Sequence, residues 1–334
     1  MIIVIGATGY IGRYFCVEMQ QQGVDVLALG RNPKALDFLR ENQVPVQPFD
    51  LEDPACFDRL DPTGAEAIID LSACLAELET PVRRFFEVNT LGVYRTLEFA
   101  RRHGIRKVVV TSSHKVYNDI NKPLISETDG VCFTGDHSPY IISKIAAENF
   151  VEYYNKDFGM NGVVLRLTGV HGYGEILGHL NADHTYRKST FELFFEKALR
   201  GEPIEVWGDQ SIRRDHIYIK DVVSALLAAA RSGEAKGICT VASGKGYSQY
   251  EEALALAEVF APDPAHRSPV LCCPEKPGLP RGYVYDISRA EIMLGWKPRF
   301  TDLHELYTDY RREWESKKYH NYHVIREDQR PATL

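Results

Sequence analysis

The sequence predicts an α/β fold: a doubly wound parallel sheet followed by a smaller C-terminal α/β domain. Short apolar strands alternate with helical patterns from residue 1 to residue 167, which is typical of a parallel sheet covered by helices. The first strand, Ile2 to Ile5, is wholly apolar, as expected for a strand buried on both faces. After Thr168 this alternation weakens. We therefore predict a first domain over 1–167, to which segments near 214–242 return, a second domain over 168–316 and a polar tail over 317–334.

The composition is that of an ordinary globular protein and argues against several classes of partner. Of the 334 residues, 44% are hydrophobic and 25% are charged, which is enough apolar material for a large core. The net charge of -7 disfavours nucleic acid and anionic membranes. No apolar run is long enough to span a bilayer. The seven cysteines are scattered without metal-binding spacing, and they fit a protein of the reducing cytoplasm.

The first strand leads into a glycine-rich turn and a helix that we expect to end at Gln22. A strand, a glycine turn and a helix N-terminus together form a cradle for phosphate groups. Gly6 permits the tight turn, Gly9 lets a pyrophosphate approach the backbone, and Gly12 lets helix and strand pack closely. The spacing therefore predicts dinucleotide binding. The residues assigned to it are Gly6, Thr8, Gly9, Tyr10, Ile11 and Gly12.

The second predicted strand, Val24 to Leu29, ends where dinucleotide-binding folds read the adenosine ribose. An acidic residue at this point favours NAD, but the chain continues with Gly30-Arg31-Asn32. Arg31 is suited to pair with a 2′-phosphate, and this favours NADP over NAD. The alternative, in which Arg31 stacks on the adenine or points to solvent, stays open.

The next two predicted strands, Val44 to Phe49 and Ala67 to Ala73, end in further candidate cofactor contacts. The residues assigned are Asp50 and Leu51 at the adenine edge, and Leu71, Ser72 and Ala73 where small side chains let a cofactor lie close. A long helix is predicted from Val82 to His103, and Asn89-x-x-Gly92 interrupts its pattern. We assign Asn89 to the cofactor-binding residues, as support for the backbone near the active site, and an ordinary polar helix position is the alternative.

Hydroxyl-bearing side chains end the fifth predicted strand, Lys107 to Thr111. The carboxyl end of a central strand is where open α/β sheets bind ligands. We therefore expect Thr111 beside the cofactor, and we expect Ser113 to hydrogen-bond a substrate carbonyl or alcohol. A sixth strand is predicted from Val163 to Leu167.

A helix beginning at Ser138-Pro139 carries Tyr140 and Lys144 in its first turns. Ser138 is a good N-cap, and Pro139 needs no N–H at this position. Because Tyr140 and Lys144 are four residues apart, they share one face. We expect the ammonium to lower the pKa of Tyr140 from its usual ~10, so that the phenol exchanges protons near neutral pH. The face expected to pack inward holds Ile142, Ile145, Ala146, Phe150 and Tyr153.

From residue 169 onward the sequence predicts a loop and then mixed strands and helices. Gly169 to Ser189 is expected to be a long loop, and its His179, Asp183 and His184 fit no standard metal motif, so no metal site is expected. Ala261 to Pro280 is proline-rich and expected to be irregular. Asp221 is expected to cap a helix that runs from Val222 to Arg231.

Four motifs stand in an order that resembles extended short-chain dehydrogenase/reductases, particularly the NAD-dependent epimerase/dehydratase group that acts on nucleotide sugars. They are Gly6-Ala7-Thr8-Gly9-Tyr10-Ile11-Gly12, Thr111-Ser112-Ser113, Tyr140-x-x-x-Lys144 and Arg214-Asp215-His216-Ile217-Tyr218. The resemblance covers residues 1 to about 300. It implies a Rossmann domain that binds NAD or NADP, a smaller substrate-binding domain, and a homodimer formed through the helices that hold Asn89 and Tyr140.

By this resemblance, Tyr140 is the acid/base, Lys144 binds the nicotinamide ribose and Ser113 positions the reacting oxygen. The implied activity is epimerisation of a sugar through transient oxidation at a hydroxyl-bearing carbon. The residues assigned to the substrate are His114, Lys115, Thr168, Arg214 and Arg281.

Departures from the family's pattern bear on the substrate. His114-Lys115 stands where the dehydratases carry Asp-Glu, so 4,6-dehydration is not expected. Gly169 replaces an Asn that contacts the diphosphate, and Lys276-Pro277-Gly278-Leu279 replaces Arg-Pro-Gly-Asp. Arg214 remains as an expected anion-binding residue, while Arg281 either replaces the missing arginine or is a structural ion-pair partner. The substrate is then a nucleotide sugar held differently, or another sugar or polyol.

Two other functions stay open at this point. The first is a net dehydrogenase or reductase of a sugar or keto-sugar, which Arg31 favours slightly because biosynthetic reductions often use NADPH. The second is a cofactor-sensing regulator without activity, and the retention of both Tyr140 and Lys144 argues against it.

Overall fold

The computed structural model describes residues 1–75, 80–117, 120–131, 138–175, 178–180 and 185–319. Its strands, numbered in chain order, are β1 (Ile2–Ile5), β2 (Val26–Gly30), β3 (Val46–Pro48), β4 (Ala67–Asp70), β5 (Lys107–Ser113), β6 (Asn161–Leu167), β7 (Gly169–His171), β8 (Gly178–Leu180), β9 (Tyr186–Lys188), β10 (Ile204–Trp207), β11 (His216–Tyr218), β12 (Gly237–Val241) and β13 (Val270–Cys273).

The helices cover both faces of the central sheet and build the C-terminal part. They are α1 (Tyr10–Gln21), α2 (Pro33–Glu41), α3 (Ala55–Asp58), α4 (Val82–Phe85), α5 (Leu91–Arg102), α6 (Pro139–Asp157), α7 (Thr190–Arg200), α8 (Ile219–Arg231), α9 (Gln249–Val259), α10 (Ser288–Leu294) and α11 (Leu303–Ser316). A π-helical segment, Phe86–Thr90, joins α4 to α5.

The central sheet of the described residues has seven strands in the order β12-β6-β5-β4-β1-β2-β3. Every neighbouring pair in it is parallel, so the predicted doubly wound parallel sheet is confirmed. The chain builds outward from β1 to β3 on one side and then crosses to build β4 to β6 on the other. This reversal opens a crevice between β1 and β4 at the carboxyl ends of the strands, where open α/β sheets bind ligands.

Two apolar layers hold the sheet between its helices. In β1, Val4 faces the layer that contains α1 and α8, whereas Ile3 and Ile5 face the layer that contains α5 and α6. This alternation follows from the two-residue period of a strand. Full burial of each such side chain contributes about 1.5–3 kcal/mol. The wholly apolar β1 is therefore explained by burial on both faces.

The C-terminal part differs from its prediction in several places. The segment expected to be a loop, Gly169 to Ser189, contains β7, β8 and β9, and the segment expected to be irregular contains β13, which pairs with β10. Asp221 is not an N-cap, because α8 begins at Ile219 and the Asp221 carboxylate instead accepts hydrogen bonds from the backbone N–H groups of Arg299 and Phe300.

The chain returns to the central sheet at Gly237, since β12 pairs with β6. The division into domains at residue 168 stays a prediction, as does the polar tail, most of which lies outside the described residues. None of the helices in the described ranges is both long and apolar enough to cross a bilayer. Every cysteine in those ranges is a free thiol, and the cytoplasmic location stays a prediction.

Candidate active site

The crevice at the reversal of the sheet is a cleft of about 500 Å³. It is lined by the carboxyl ends of the central strands and by the first turns of α1 and α6. The sequence-predicted residues that line it are Gly6, Thr8, Gly9, Tyr10, Ile11, Gly12, Arg31, Asp50, Leu51, Leu71, Ser72, Ala73, Thr111, Ser113, Tyr140, Lys144 and Thr168. One cleft thus brings together residues that are up to 162 positions apart in the chain.

The turn between β1 and α1 has the geometry of a phosphate cradle. Gly6 adopts a positive φ of 78°, and a Cβ on Gly12 would lie 2.5 Å from the Gly6 carbonyl oxygen. Gly9 is the N-cap of α1 in extended backbone, and the first turn carries neither a capping side chain nor an acidic residue. The first N–H groups of α1 therefore keep their positive partial charge for an anion, and the turn fits a pyrophosphate.

Arg31 at the end of β2 is paired with acidic side chains. Its Nη1 is 2.7 Å from Glu52 Oε2 and 3.4 Å from Asp50 Oδ1. Arg84 approaches the same Glu52 oxygen at 3.5 Å. The guanidinium that was expected to be available for a 2′-phosphate is thus already balanced by carboxylates at this end of the cleft.

Lys144 lies between the carboxyl ends of β4 and β5. Its Nζ donates hydrogen bonds to the carbonyl oxygens of Thr111 at 3.0 Å and Ser72 at 3.4 Å. Burial lowers the pKa of Lys144 to about 8, and the nearby carboxylates of Asp70 and Glu148 oppose this effect. The buried amine therefore lies deep in the cleft and titrates close to neutral pH.

Tyr140 lies beside Ser113, which forms a hydrogen bond with its hydroxyl. As predicted, α6 begins with Ser138 as N-cap, whose hydroxyl accepts a hydrogen bond from the Ile141 N–H at 3.4 Å. The expected lowering of the Tyr140 pKa by Lys144 is not found. Burial raises the pKa of Tyr140, and only the Ser113 hydrogen bond opposes this effect.

The inward face of α6 is not the predicted one. Ile142 and Tyr153 are exposed, while Ser143, Lys144 and Glu148 are buried. The reason is a polar network inside the helix–sheet interface. Arg166 of β6 forms a buried ion pair with Glu148 at 2.6 Å.

The same network reaches the end of β5. Ser112 Oγ donates to Glu148 at 2.5 Å, and Arg166 donates to the Tyr117 hydroxyl at 2.6 Å. Sequence reasoning missed these residues. The available signal was Arg166 itself, a charged residue in an otherwise apolar predicted strand.

Asn89 does not line the cleft. Its amide is fully buried in the π-helical segment, where it accepts from the Cys74 N–H at 2.7 Å and donates to the Cys74 carbonyl at 3.2 Å and to Ser143 Oγ at 3.0 Å. It therefore fastens the backbone that follows β4 to α6. Its assignment as a cofactor contact stays a prediction, and the placement agrees with support of the backbone.

The residues predicted for the substrate gather beyond Ser113. His114 Nδ1 is 2.9 Å from the Tyr285 hydroxyl. Burial and the cations Lys115, Arg281 and Arg214 lower the pKa of His114 to about 4. Arg214 Nε donates to the Arg281 carbonyl at 3.2 Å. Several cations and a neutral imidazole thus surround this end of the site.

Lys115 and Arg281 have separate contacts at the same end. Lys115 Nζ lies 5.9 Å from the centre of the Tyr140 ring. Arg281 Nη1 donates to the Ile120 carbonyl at 3.4 Å. Asp183 and His184 lie outside the described residues, and nothing is described of the His179 side chain.

The chain is similar to proteins of one enzyme family over nearly its whole length. The model of the NAD dependent epimerase/dehydratase family matches residues 2–242. A UDP-glucose 4-epimerase of Halalkalibacterium halodurans is 24% identical over 340 residues, which covers 98% of this chain and 99% of that protein. A putative UDP-glucose 4-epimerase of Methanocaldococcus jannaschii is 27% identical over 318 residues, with 91% and 95% covered.

Among solved structures, the UDP-glucose 4-epimerase of Thermotoga maritima with UDP-glucose has a similar fold. Its TM-score is 0.74 at 23% identity, and the match covers 95% of this chain and 99% of that one.

Proposed function

The chain belongs to the NAD dependent epimerase/dehydratase family, and from that premise we propose that it is an NAD(P)-dependent epimerase of a nucleotide sugar. The observation that carries the proposal is the grouping of Ser113, Tyr140 and Lys144 in one cleft. The phosphate cradle lines the same cleft. The full-length similarity to UDP-glucose 4-epimerases supports a UDP-hexose as the substrate to test first.

Each of the three side chains has a chemical task in this proposal. A bound NAD(P) would supply the nicotinamide as acceptor and donor of hydride for a carbinol carbon. Tyr140 takes the proton from the substrate hydroxyl and later gives it back. Ser113, already hydrogen-bonded to Tyr140, holds the same oxygen. Lys144 donates hydrogen bonds toward the ribose.

The cations beyond Ser113 suit the diphosphate of the proposed substrate. The Arg214 side chain donates a hydrogen bond to the backbone carbonyl of Arg281, and the charges of both arginines act on His114 together with that of Lys115. Guanidinium groups pair well with phosphate oxygens because they donate two parallel hydrogen bonds. We assign this end of the site to the nucleotide diphosphate.

We further propose NAD rather than NADP as the cofactor. Arg31 lies within ion-pair distance of Glu52 and Asp50. A 2′-phosphate at this position would be repelled by these two carboxylates, and the charge of Arg31 is already paired with them. This proposal reverses the preference drawn from the sequence, where the neighbours of Arg31 could not be seen.

The activity is tested by incubating the purified protein with UDP-glucose or UDP-galactose and resolving the sugars by NMR. We expect interconversion without net change in the absorbance of the reduced nicotinamide. Tyr140→Phe is expected to lower turnover by about 10²–10⁴-fold while cofactor binding persists. Tyr153→Phe, on the exposed side of the same helix, is the matched control and should keep its activity.

Other outcomes separate the alternatives. Conversion of one cofactor for each sugar would identify a net dehydrogenase or reductase. Cofactor binding without turnover of any sugar, unaltered by Tyr140→Phe, would favour the non-enzymatic regulator.

We also propose that two copies associate through α5 and α6. Leu91, Tyr94, Ile142 and Tyr153 are large apolar side chains exposed on these helices, and such a patch is typical of an interface. Light scattering of the purified protein should give the mass of a dimer, and Tyr153→Glu should give that of a monomer. A monomeric wild type would remove this proposal.

A further inference from the structure

Two histidines and a glutamate from three separate elements meet near the cleft. His171 is the last residue of β7, His216 is the first of β11, and Glu252 lies in the first turn of α9. One possible ligand atom from each residue lies within 4.8 Å of those from the other two. No motif in the sequence indicated this group, because its members are separated by 45 and 36 residues in the chain.

The backbone fixes the positions of the two histidines. β7 and β11 are parallel, with His171 opposite Tyr218 and His216 opposite Gly169. The imidazole rings face each other with their centres 4.3 Å apart and their planes at 63°. Glu252 completes the group, since its Oε1 is 3.1 Å from His216 Nδ1.

Protein contacts leave part of this group unsatisfied. Among the described residues, His171 Nδ1 and His216 Nε2 are buried without a hydrogen-bond partner. Glu175 Oε1 lies 3.7 Å from His171 Nδ1, which is ion-pair distance but longer than a hydrogen bond. His216 has a side chain only 6% exposed. An unpartnered buried polar atom is rare in proteins and calls for a ligand, ion or water.

We propose that His171, His216 and Glu252 bind one divalent transition-metal ion of the zinc class. Two imidazole nitrogens and one carboxylate are a ligand set that zinc accepts, with a fourth position left for water or another ligand. A tetrahedral ion needs its ligand atoms roughly 3.5 Å apart, which small side-chain movements from the observed spacing provide. The side chains of His171 and Glu252 are 20% and 22% exposed, so an ion can reach the site from solvent.

The proposed metal site adjoins the wall of the active-site cleft. β7 contributes Val170 to the wall of the active-site cleft, and Glu175, close behind it, lines the same cleft. An ion held by His171 would tie this wall to β11 and to α9. The inference does not depend on the proposed epimerase activity, because it concerns binding of the metal alone.

The test uses the full chain, freed of metal by dialysis against a chelator and titrated with Co²⁺. We expect one equivalent to bind with the intense visible absorption of four-coordinate Co²⁺, and we expect Zn²⁺ to displace it. His171→Asn and Glu252→Gln should each weaken Co²⁺ binding by more than about 100-fold, since loss of even an outer partner of a metal ligand costs 10–100-fold. His266→Asn is the control, since His266 is exposed and paired with Asp263.

Two results would overturn the inference. One is a wild type that gives a folded circular dichroism spectrum and takes up no Co²⁺ or Zn²⁺. The other is a folded Glu252→Gln variant, which keeps the shape of the side chain, with unchanged affinity for Co²⁺. Cys272→Ser excludes the adjacent thiols Cys272 and Cys273: if that change alone abolishes binding, the ion lies there and the assignment to His171, His216 and Glu252 is wrong.

Discussion

Arg31 lies at the carboxyl end of β2, where a cation favours recognition of a 2′-phosphate. In the folded chain, its guanidinium is 2.7 Å from Glu52, and Glu52 follows β3 rather than β2. The carboxylate cancels much of the charge that the sequence suggested would select NADP. We therefore expect the preference between the two cofactors to depend largely on the contact between Arg31 and Glu52.

Replacing Glu52 with Gln should raise the affinity for NADP relative to NAD by about five- to tenfold. The reason is that one unit charge near a phosphate is worth about 1 kcal/mol at a solvated site. Fluorescence titration of the reduced cofactors measures the ratio. Glu66→Gln, an exposed carboxylate before β4, should leave it unchanged. An unaltered ratio in Glu52→Gln would show that Arg31 does not face the ribose.

At the scale of elements, the helix predicted from Val82 to His103 is divided by the π-helical segment that holds Asn89. Just after this segment, Gly92 packs against Leu51, which lines the cofactor cleft. A Cβ at Gly92 would lie 2.3 Å from Leu51 Cδ2. A side chain at this position would therefore displace the side chain of Leu51 in the loop after β3.

Gly92→Ala should weaken cofactor binding and lower the free energy of unfolding by about 1–3 kcal/mol, because Leu51 must move out of its packed position. Gly233→Ala is the matched control, since a Cβ there meets no atom within 4 Å. Urea denaturation and cofactor titration of both variants give the comparison. Equal behaviour of the two would contradict the close packing of Leu51.

The buried pair of Arg166 and Glu148 joins β6 to α6 beneath Tyr140. Arg166→Met should lower the free energy of unfolding by about 3–5 kcal/mol, because Glu148 would remain buried without its partner. Glu315→Gln, which breaks the exposed pair with Arg311 on α11, should cost under about 1 kcal/mol. Urea denaturation measures both. Joint replacement of Arg166 with Met and Glu148 with Leu should be less destabilising than Arg166→Met alone, and a larger loss would refute this account.

Sequence patterns located these elements better than they located their contacts. The strand β1 was predicted without error and the start of α6 was found from Ser138-Pro139, because both depend on local residues. The prediction of the buried face of α6 was wrong because Lys144 and Glu148 are polar and were not expected to be buried. Their burial is explained by partners on β5 and β6. β13 was missed because its pairing with β10 is a long-range contact.

At the scale of the whole molecule, the C-terminal chain closes over the carboxyl edge of the sheet through a few specific contacts. The hydroxyl of Tyr285 is 2.9 Å from His114, which directly follows β5. Asp215, before β11, accepts hydrogen bonds from the backbone N–H groups of Ser243 and Tyr285. The motif Arg214-Asp215-His216 could be recognised in the sequence, but these partners lie 28 and 70 residues away. No local pattern reveals such distances.

The burial of His114 beside several cations makes the stability of the molecule depend on pH. Burial holds the pKa of His114 at about 4 in the folded chain, against 6.5 for an unperturbed histidine. Between these values the unfolded chain binds a proton that the folded chain does not, so stability falls as the pH falls from 6.5 to 4. The loss from this one group approaches about 3 kcal/mol at the acidic end.

His114→Gln keeps a hydrogen-bond partner for Tyr285 but cannot titrate. Urea denaturation across this pH range should therefore give a difference between wild type and variant that is constant above pH 6.5 and shifts by up to about 3 kcal/mol in favour of the variant near pH 4. His171 and His216 also have lowered pKa values, but they are present in both proteins and cancel. A difference that does not change with pH would mean that His114 is solvated, and that the C-terminal chain does not close over the sheet at this point.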